Sequence, residues 1–290
     1  MISQTLIIQS LISGILMGGI YAVMGVGFSL TWGVMKVINL SHCAFGVVSA
    51  YIGYWLLKNS GVDPLLSLIV IVPMLFVIGA GVYELLIKRI QYSKDITVSS
   101  MLLCFGLGIL IENLMLYAWS ASPRVMNTRY TGESFFVGRI SLSIPSVIGF
   151  ILAMSCLAAI YFFLHKTYTG KAVQAVWQER EGSALVGINI DRVSMITFGL
   201  AIASAGVGGV CMAFMYSFYP SLHNIWLLFM FLVVIVGGVG SVVGTATGGL
   251  ILGIVMGLSG ALISYQWVNA IVFVLLIIIL LIRPQGLFKV

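Results

Sequence analysis

The chain has 290 residues, of which 61% are hydrophobic and only 8% charged, against roughly 25% charged in an average soluble domain. A water-soluble fold of this size could not clothe its surface with so few charges, so the chain reads as a membrane protein. Cytosolic-enzyme and extracellular readings are excluded. The net charge of +6 comes from 14 Lys and Arg against 8 Asp and Glu. These basic residues are scattered, which fits loops held on the cytoplasmic side of a bilayer and not a nucleic-acid surface.

A membrane-crossing helix takes about 20 mainly apolar residues. On that measure the predicted spans are 6–29, 42–57, 65–87, 98–120, 144–164, 194–216, 225–243, 246–264 and 267–282. The expected fold is an all-α polytopic transmembrane helical bundle of about eight or nine spans, a single domain over 1–290. No charge precedes Lys36, and a cleavable signal peptide opens on basic residues, so the first span is expected to be retained. The stretch from Thr31 to His42 (TWGVMKVINLSH) is too polar for lipid contact. Irregular backbone at membrane depth survives only inside protein or against a watery cavity, so this stretch is either a loop or part of a helix packed at the bundle centre.

Glu84 stands four residues before Lys88, the spacing of a helical ion pair. Glu112 lies well inside its span, beside Asn113. A charge there is costly and by default functional. A carboxyl paired at a helix interface and one on a translocation path both fit. Asn39, Ser41 and His42 are further path candidates, although a lone histidine is as readily a structural hydrogen-bonding residue. The loop 121–143 carries Arg124, Arg129, Glu133 and Arg139; the loop 216–226 carries Tyr216, Phe218, Tyr219, His223 and Trp226. The first reads as a solvated loop and the second as an interfacial aromatic belt, or both as contacts to another protein.

The longest hydrophilic segment runs from His165 to Ser194. In it Ala172, Ala175 and Val176 fall at helical spacing, Ala184, Leu185 and Ile188 continue an apolar set, and Gly187 reads as a helix stop. It is either a solvated pair of interfacial helices or a docking surface. The interval from Val193 to Ile282 has no charged residue and is divided only by glycine. There Gly240, Gly244 and Gly248, and then Gly249, Gly253 and Gly257, recur every fourth residue, as Gly14 and Gly18 do near the start. Small residues at that spacing let helix backbones approach, so Gly237, Gly238, Gly240, Gly244, Gly248 and Gly249 are assigned to helix packing.

Placing the loops on alternate sides puts Lys36, Lys88, Arg89, Lys94, Lys166, Lys171, Arg180, Arg192, Arg283 and Lys289 on one side. The other side receives Lys58, Arg124, Arg129 and Arg139. That imbalance predicts an outside N-terminus and an inside C-terminus. The four cysteines, Cys43, Cys104, Cys156 and Cys211, have neither zinc spacing nor a disulfide framework and read as small buried hydrophobes. No HExxH, GxSxG or GxxxxGK[ST] motif occurs, so no catalytic residue, metal or cofactor is assigned.

Four segments resemble permease subunits of branched-chain amino acid ABC importers. Leu30 to His42 is similar to the family's GVMxxINxxHG stretch, with Cys43 where that pattern has glycine. Thr169 to Val176, continued from Ala184 to Val193, resembles its coupling loop. Val236 to Gly249 (VGGVGSVVGTATGG) resembles its GGxGSxxGxxxGG stretch, and Arg283 to Phe288 its C-terminal ending. The resemblance implies a multi-pass subunit of a bacterial or archaeal cytoplasmic (inner) membrane. Its implied partners are a second permease (paralogue or self), two ABC ATPase subunits that bind the ATP, and a solute-binding protein; relatives carry urea or short amides.

Under that resemblance residues 165–193 become an ATPase-coupling segment. Ala172, Ala175, Val176, Ala184 and Leu185 would form the docked face, and Arg180, Glu181 and Arg192 its rim. An ion-coupled secondary transporter would place acidic residues deep in several spans, and only Glu112 is deep. A membrane-embedded enzyme would need a cluster of nucleophile, base or metal ligands at one depth, which the sequence does not show.

Overall fold

The computed structural model describes residues 4–91, 93–263, 265–283 and 286–288. The first helix, α1 (Gln4–Met35), has 32 residues, about 48 Å of helix against about 30 Å of hydrocarbon. Lys36 ends it in the left-handed region (φ 57°), and an extended stretch leads to α2 (His42–Ser60). Asp63 caps the next helix by accepting from the Leu65 amide, with Pro64 at its first turn. That helix, α3 (Pro64–Val82), passes through a π-helical turn into α4 (Lys88–Ile90). The Asp95 side chain accepts from the Val98 amide at the start of α5 (Ile96–Trp119).

A hairpin of β1 (Ser134–Val137) and β2 (Ile140–Ser143) then leads into α6 (Ile144–Lys166). Two short helices follow, α7 (Tyr168–Gln178) and α8 (Arg180–Leu185), and then α9 (Ile190–Met215). The bundle closes with α10 (His223–Gly237), α11 (Val242–Leu262) and α12 (Val268–Ile282). Among the described residues, seven helices or helix runs are long and apolar enough to cross a membrane. The less apolar α2, with 19 residues, and the short α12, with 15, fall outside that set. The expected span 225–243 stops at Gly237, because Gly238 and Gly240 take left-handed φ values of 99° and 85° and turn the chain.

The centre is built from α1 and α9; 89% of the most apolar window of α9 is buried. Where α1 meets α11 the two backbones touch. A Cβ on Gly14 would fall 2.6 Å from the Gly253 carbonyl oxygen, and one on Gly18 would fall 2.8 Å from that of Gly249. Lipid supplies no hydrophobic drive between helices, so such contact is gained through dispersion at close range. Helices α3 and α5 are the opposite case, with 22% and 17% of their apolar windows buried.

The two ends of the bundle are defined by side-chain contacts. Thr97 Oγ1 reaches the Lys36 carbonyl, Arg180 donates to Gln91 Oε1 at 2.8 Å, and Lys88 lies 3.7 Å from Asp191. The Leu287 amide donates to the Val236 carbonyl. Lys36, the α4–α5 link, α7–α8, the start of α9 and the α10–α11 turn therefore share one end. At the other end Arg124 pairs by backbone with Phe218, and Tyr51 stacks on Trp119. The basic residues divide between the ends as predicted, with Lys289 outside the described residues. The Glu84–Lys88 pair forms at 2.6 Å, and the four cysteines are free.

Gly18→Ala is expected to lower the midpoint of thermal unfolding in detergent, by the equivalent of about 1–3 kcal/mol of overpacking. Gly106, whose Cβ position has nothing within 4 Å, is the control. Its alanine variant should be neutral or stabilising by up to about 1 kcal/mol. Equal effects at both positions would contradict the α1–α11 contact.

Candidate translocation and coupling sites

The break between α1 and α2 is a built structure. Asn39 Oδ1 accepts from the Ser41 amide (3.1 Å) and hydroxyl (2.6 Å), and the Asn39 carbonyl accepts from the His42 amide. This Asx-type turn starts α2. The Ile38 amide donates to Ser100 Oγ on α5 at 3.1 Å. His42 Nε2 donates to the Met24 carbonyl at 3.0 Å, beside Gly27 and edge-on to Phe28. Asn39, Ser41 and His42 are all fully buried. Asn39 Nδ2 and His42 Nδ1 have no partner among the described residues, an unusual condition for buried polar atoms.

Glu112 is paired. His223 Nε2 donates to its Oε2 at 3.0 Å, and beside it Asn224 Nδ2 donates to the Ser221 carbonyl at 3.3 Å. These groups sit where the chain enters α10, so a carboxylate on α5 meets the positive end of a helix. No sequence pattern links His223 to Glu112, because a pairing across 111 positions leaves no local trace. Asn113, although adjacent, is exposed on α5 and donates back to the Ile109 carbonyl. Ser41 packs against Gly108, so α5 lies over the α1–α2 break.

The segment 165–193 folds as α7 and α8. Thr167 caps α7 through the Gly170 amide, and Gly187 (φ 86°) terminates α8 as the sequence suggested. Val176, expected on the docked face, instead packs inside the chain at 2% exposure, next to the similarly buried Val173. Its side of α7 faces the bundle because α7 folds back along α6. Ala172, Ala175 and Arg192 line a groove of about 520 Å³ with Tyr168 and Ile188. Leu185 is 89% exposed, Val186 78%, and Ala184 and Glu181 are also exposed. Arg180 is held by Gln91.

Among the glycines assigned to packing, Gly237 meets Gly244, Gly248 lies against Val233 and Gly237, and Gly249 lies against Ala22. Gly238 meets Gly286, whereas Gly240 faces the indole of Trp177, a residue the sequence did not single out. At the opposite end Arg124 is tied in by the Trp119 carbonyl and lies over the Tyr54 ring. Tyr130 donates to Asp63 Oδ1 at 3.1 Å, and burial together with that carboxylate pushes its phenol up to about 12. The 121–143 loop is thus partly structural.

The profile of the family "Branched-chain amino acid transport system / permease component" matches residues 10–281. The chain belongs to this family. Its relatives include the high-affinity branched-chain amino acid transport system permease protein LivH of Salmonella typhimurium, 28% identical over 97% of this chain and 94% of the relative. BraD of Pseudomonas aeruginosa is 24% identical over 97% and 95%, and a probable LivH of Methanocaldococcus jannaschii 25% over 94% and 90%. No solved structure matches. The chain is thus a multi-pass membrane permease of the ABC transporter class.

Asn39→Ala removes the acceptor that starts α2. It is expected to cost about 1–2 kcal/mol, as for loss of a helix cap, seen as a lower unfolding midpoint. An unchanged midpoint would show that the Ile38–Ser100 and His42–Met24 bonds hold the break without the Asn39 side chain.

Proposed function

We propose that the chain is the membrane-spanning subunit of an ATP-driven importer of branched-chain amino acids. It works by alternating access in a bacterial or archaeal cytoplasmic membrane. Two ABC ATPase subunits, a second permease (a paralogue or a second copy) and a solute-binding protein complete the assembly. The near full-length match to LivH-type permeases carries this reading. It is supported by the lack of a nucleotide-binding motif and by the exposed apolar face of Ala184, Leu185 and Val186 at the basic end. A small apolar knob ringed by charge suits a groove in a partner, and Ala172, Ala175, Arg192 and Glu181 flank it.

In this reading the path runs between this chain and the second permease. Glu112 and Asn113 on the sparsely buried α5 face it, while Asn39, Ser41 and His42 lie behind α5. Displacement of α5 would uncover the unpaired Asn39 and His42 atoms, which could then serve a polar solute. The single acidic group at depth, already paired with His223, argues against an ion-coupled transporter.

The test is reconstitution in liposomes with the cognate ATPases and binding protein. Leucine, isoleucine or valine uptake should require ATP. Uptake of urea or a short amide alone would move the solute class, and ATP-independent uptake would overturn the importer reading. Leu185→Glu should lower ATPase co-purification at least tenfold while the permease still inserts; full retention would remove the docking face from this segment.

A further inference from the structure

Trp177 is the next-to-last residue of α7 and is half-buried. Its indole rests on Gly33 of α1 and on Gly240 of the α10–α11 turn. A Cβ on Gly240 would fall 2.6 Å from Trp177 Nε1, and one on Gly33 of α1 would fall 3.3 Å from it. Gly240 belongs to the left-handed α10–α11 turn, and its amide donates to Ser29 Oγ at 2.8 Å. The turn is held from a third side by Gly286 against Gly238 and by the Leu287 amide on the Val236 carbonyl. Beside the indole lies a cavity of about 140 Å³, lined by Leu30, Val34, Leu164, Val173 and Ser241. The indole therefore has free space along one flank and backbone along another.

The helix carrying Trp177 is anchored elsewhere. A Cβ on Gly170 would come within 2.6 Å of the Leu164 Cα, so α7 lies backbone-to-backbone on α6. On the far side of the indole, α10, α11 and α1 form one block, joined where Gly237 meets Gly244 and Gly18 meets Gly249. The α6–α7 group also packs on that block where Phe150 of α6 meets Gly19 of α1, and Trp177 is its contact with the α10–α11 turn. From the turn, α10 runs 15 residues back to His223, which grips Glu112 on α5. A large flat side chain with two side-chain torsions transmits displacement with little internal slack. A packed contact next to a void can shift between discrete seats and need not deform continuously.

We propose that Trp177 is the positioning residue that hands movement of the α7–α8 segment to the α10–α11 turn, from which α10 and the His223–Glu112 contact carry it to α5. This rests on the importer reading and adds the route by which work done outside the bilayer reaches the helix over the α1–α2 break.

The test uses the complete reconstituted importer and reads ATP hydrolysis and leucine uptake in the same vesicles. In Trp177→Ala the ATPases should still bind and basal hydrolysis should stay within twofold of wild type. Uptake per ATP should fall at least tenfold, and Trp177→Phe should recover at least half of it. Uptake per ATP within twofold of wild type in the alanine variant overturns the proposal, as does loss of ATPase binding, which would make Trp177 a docking residue. If the alanine variant does not assemble, Trp177→Leu decides by the same ratio: a fall of threefold or more supports the proposal and a wild-type ratio overturns it. Failure of the wild-type protein to take up leucine with ATP would count against the importer reading, separately from this route.

Discussion

A bilayer offers the backbone no water, and this constraint shapes the whole molecule. Each polar main-chain group must find a partner within the protein, and helices gain little by merely being apolar. The chain answers with the glycine contact between α1 and α11, where Gly14 and Gly18 face Gly253 and Gly249. With α1 held at the centre, the protein can enclose a stretch of backbone that is not helical. Residues 37–41 survive inside the bundle because Ser100, Asn39 and the Met24 carbonyl take up their neighbours' polar atoms.

The same constraint sorts the polar side chains. Some hydroxyls deep in the bundle bond back to their own helix, Thr197 to the Val193 carbonyl and Ser204 to that of Ala201. Glu112 is different, since it joins two elements, α5 and the entry to α10. An unpaired carboxylate in that place would be costly, and its pairing ties the least buried long helix to the rest. The unmet atoms of Asn39 and His42 lie just behind that helix.

Much of the architecture was legible from hydropathy, because length and apolarity alone define a spanning helix. The polar run from Thr31 to His42 also announced itself; its first part, to Met35, closes α1, and residues 36–41 are the non-helical stretch that leads into α2. Other features left no local trace. The end of α10 at Gly237 follows from left-handed glycines, and glycine in this chain marks close packing as often as turns. The 134–143 hairpin lay hidden in a loop of mixed composition. The inward face of Val176 could not be read from helical spacing, since both faces of α7 carry small apolar residues and only the fold-back along α6 chooses between them. Trp177 and His223 have partners more than fifty positions away, and one sequence records no such pairing.

The enclosed break is the feature on which the path, the role of α5 and the sidedness of the coupling segment all depend, and sidedness tests it most directly. Single cysteines would be placed at positions 36 and 58 of a protein whose four native cysteines are replaced. A membrane-impermeant maleimide is then applied to one face of the membrane at a time. Residues 36–60 form one crossing in this account, so the two cysteines should react from opposite faces, with position 36 on the face that also exposes Leu185. Labelling of both from the same face would mean that the segment returns without crossing, and the account would be contradicted.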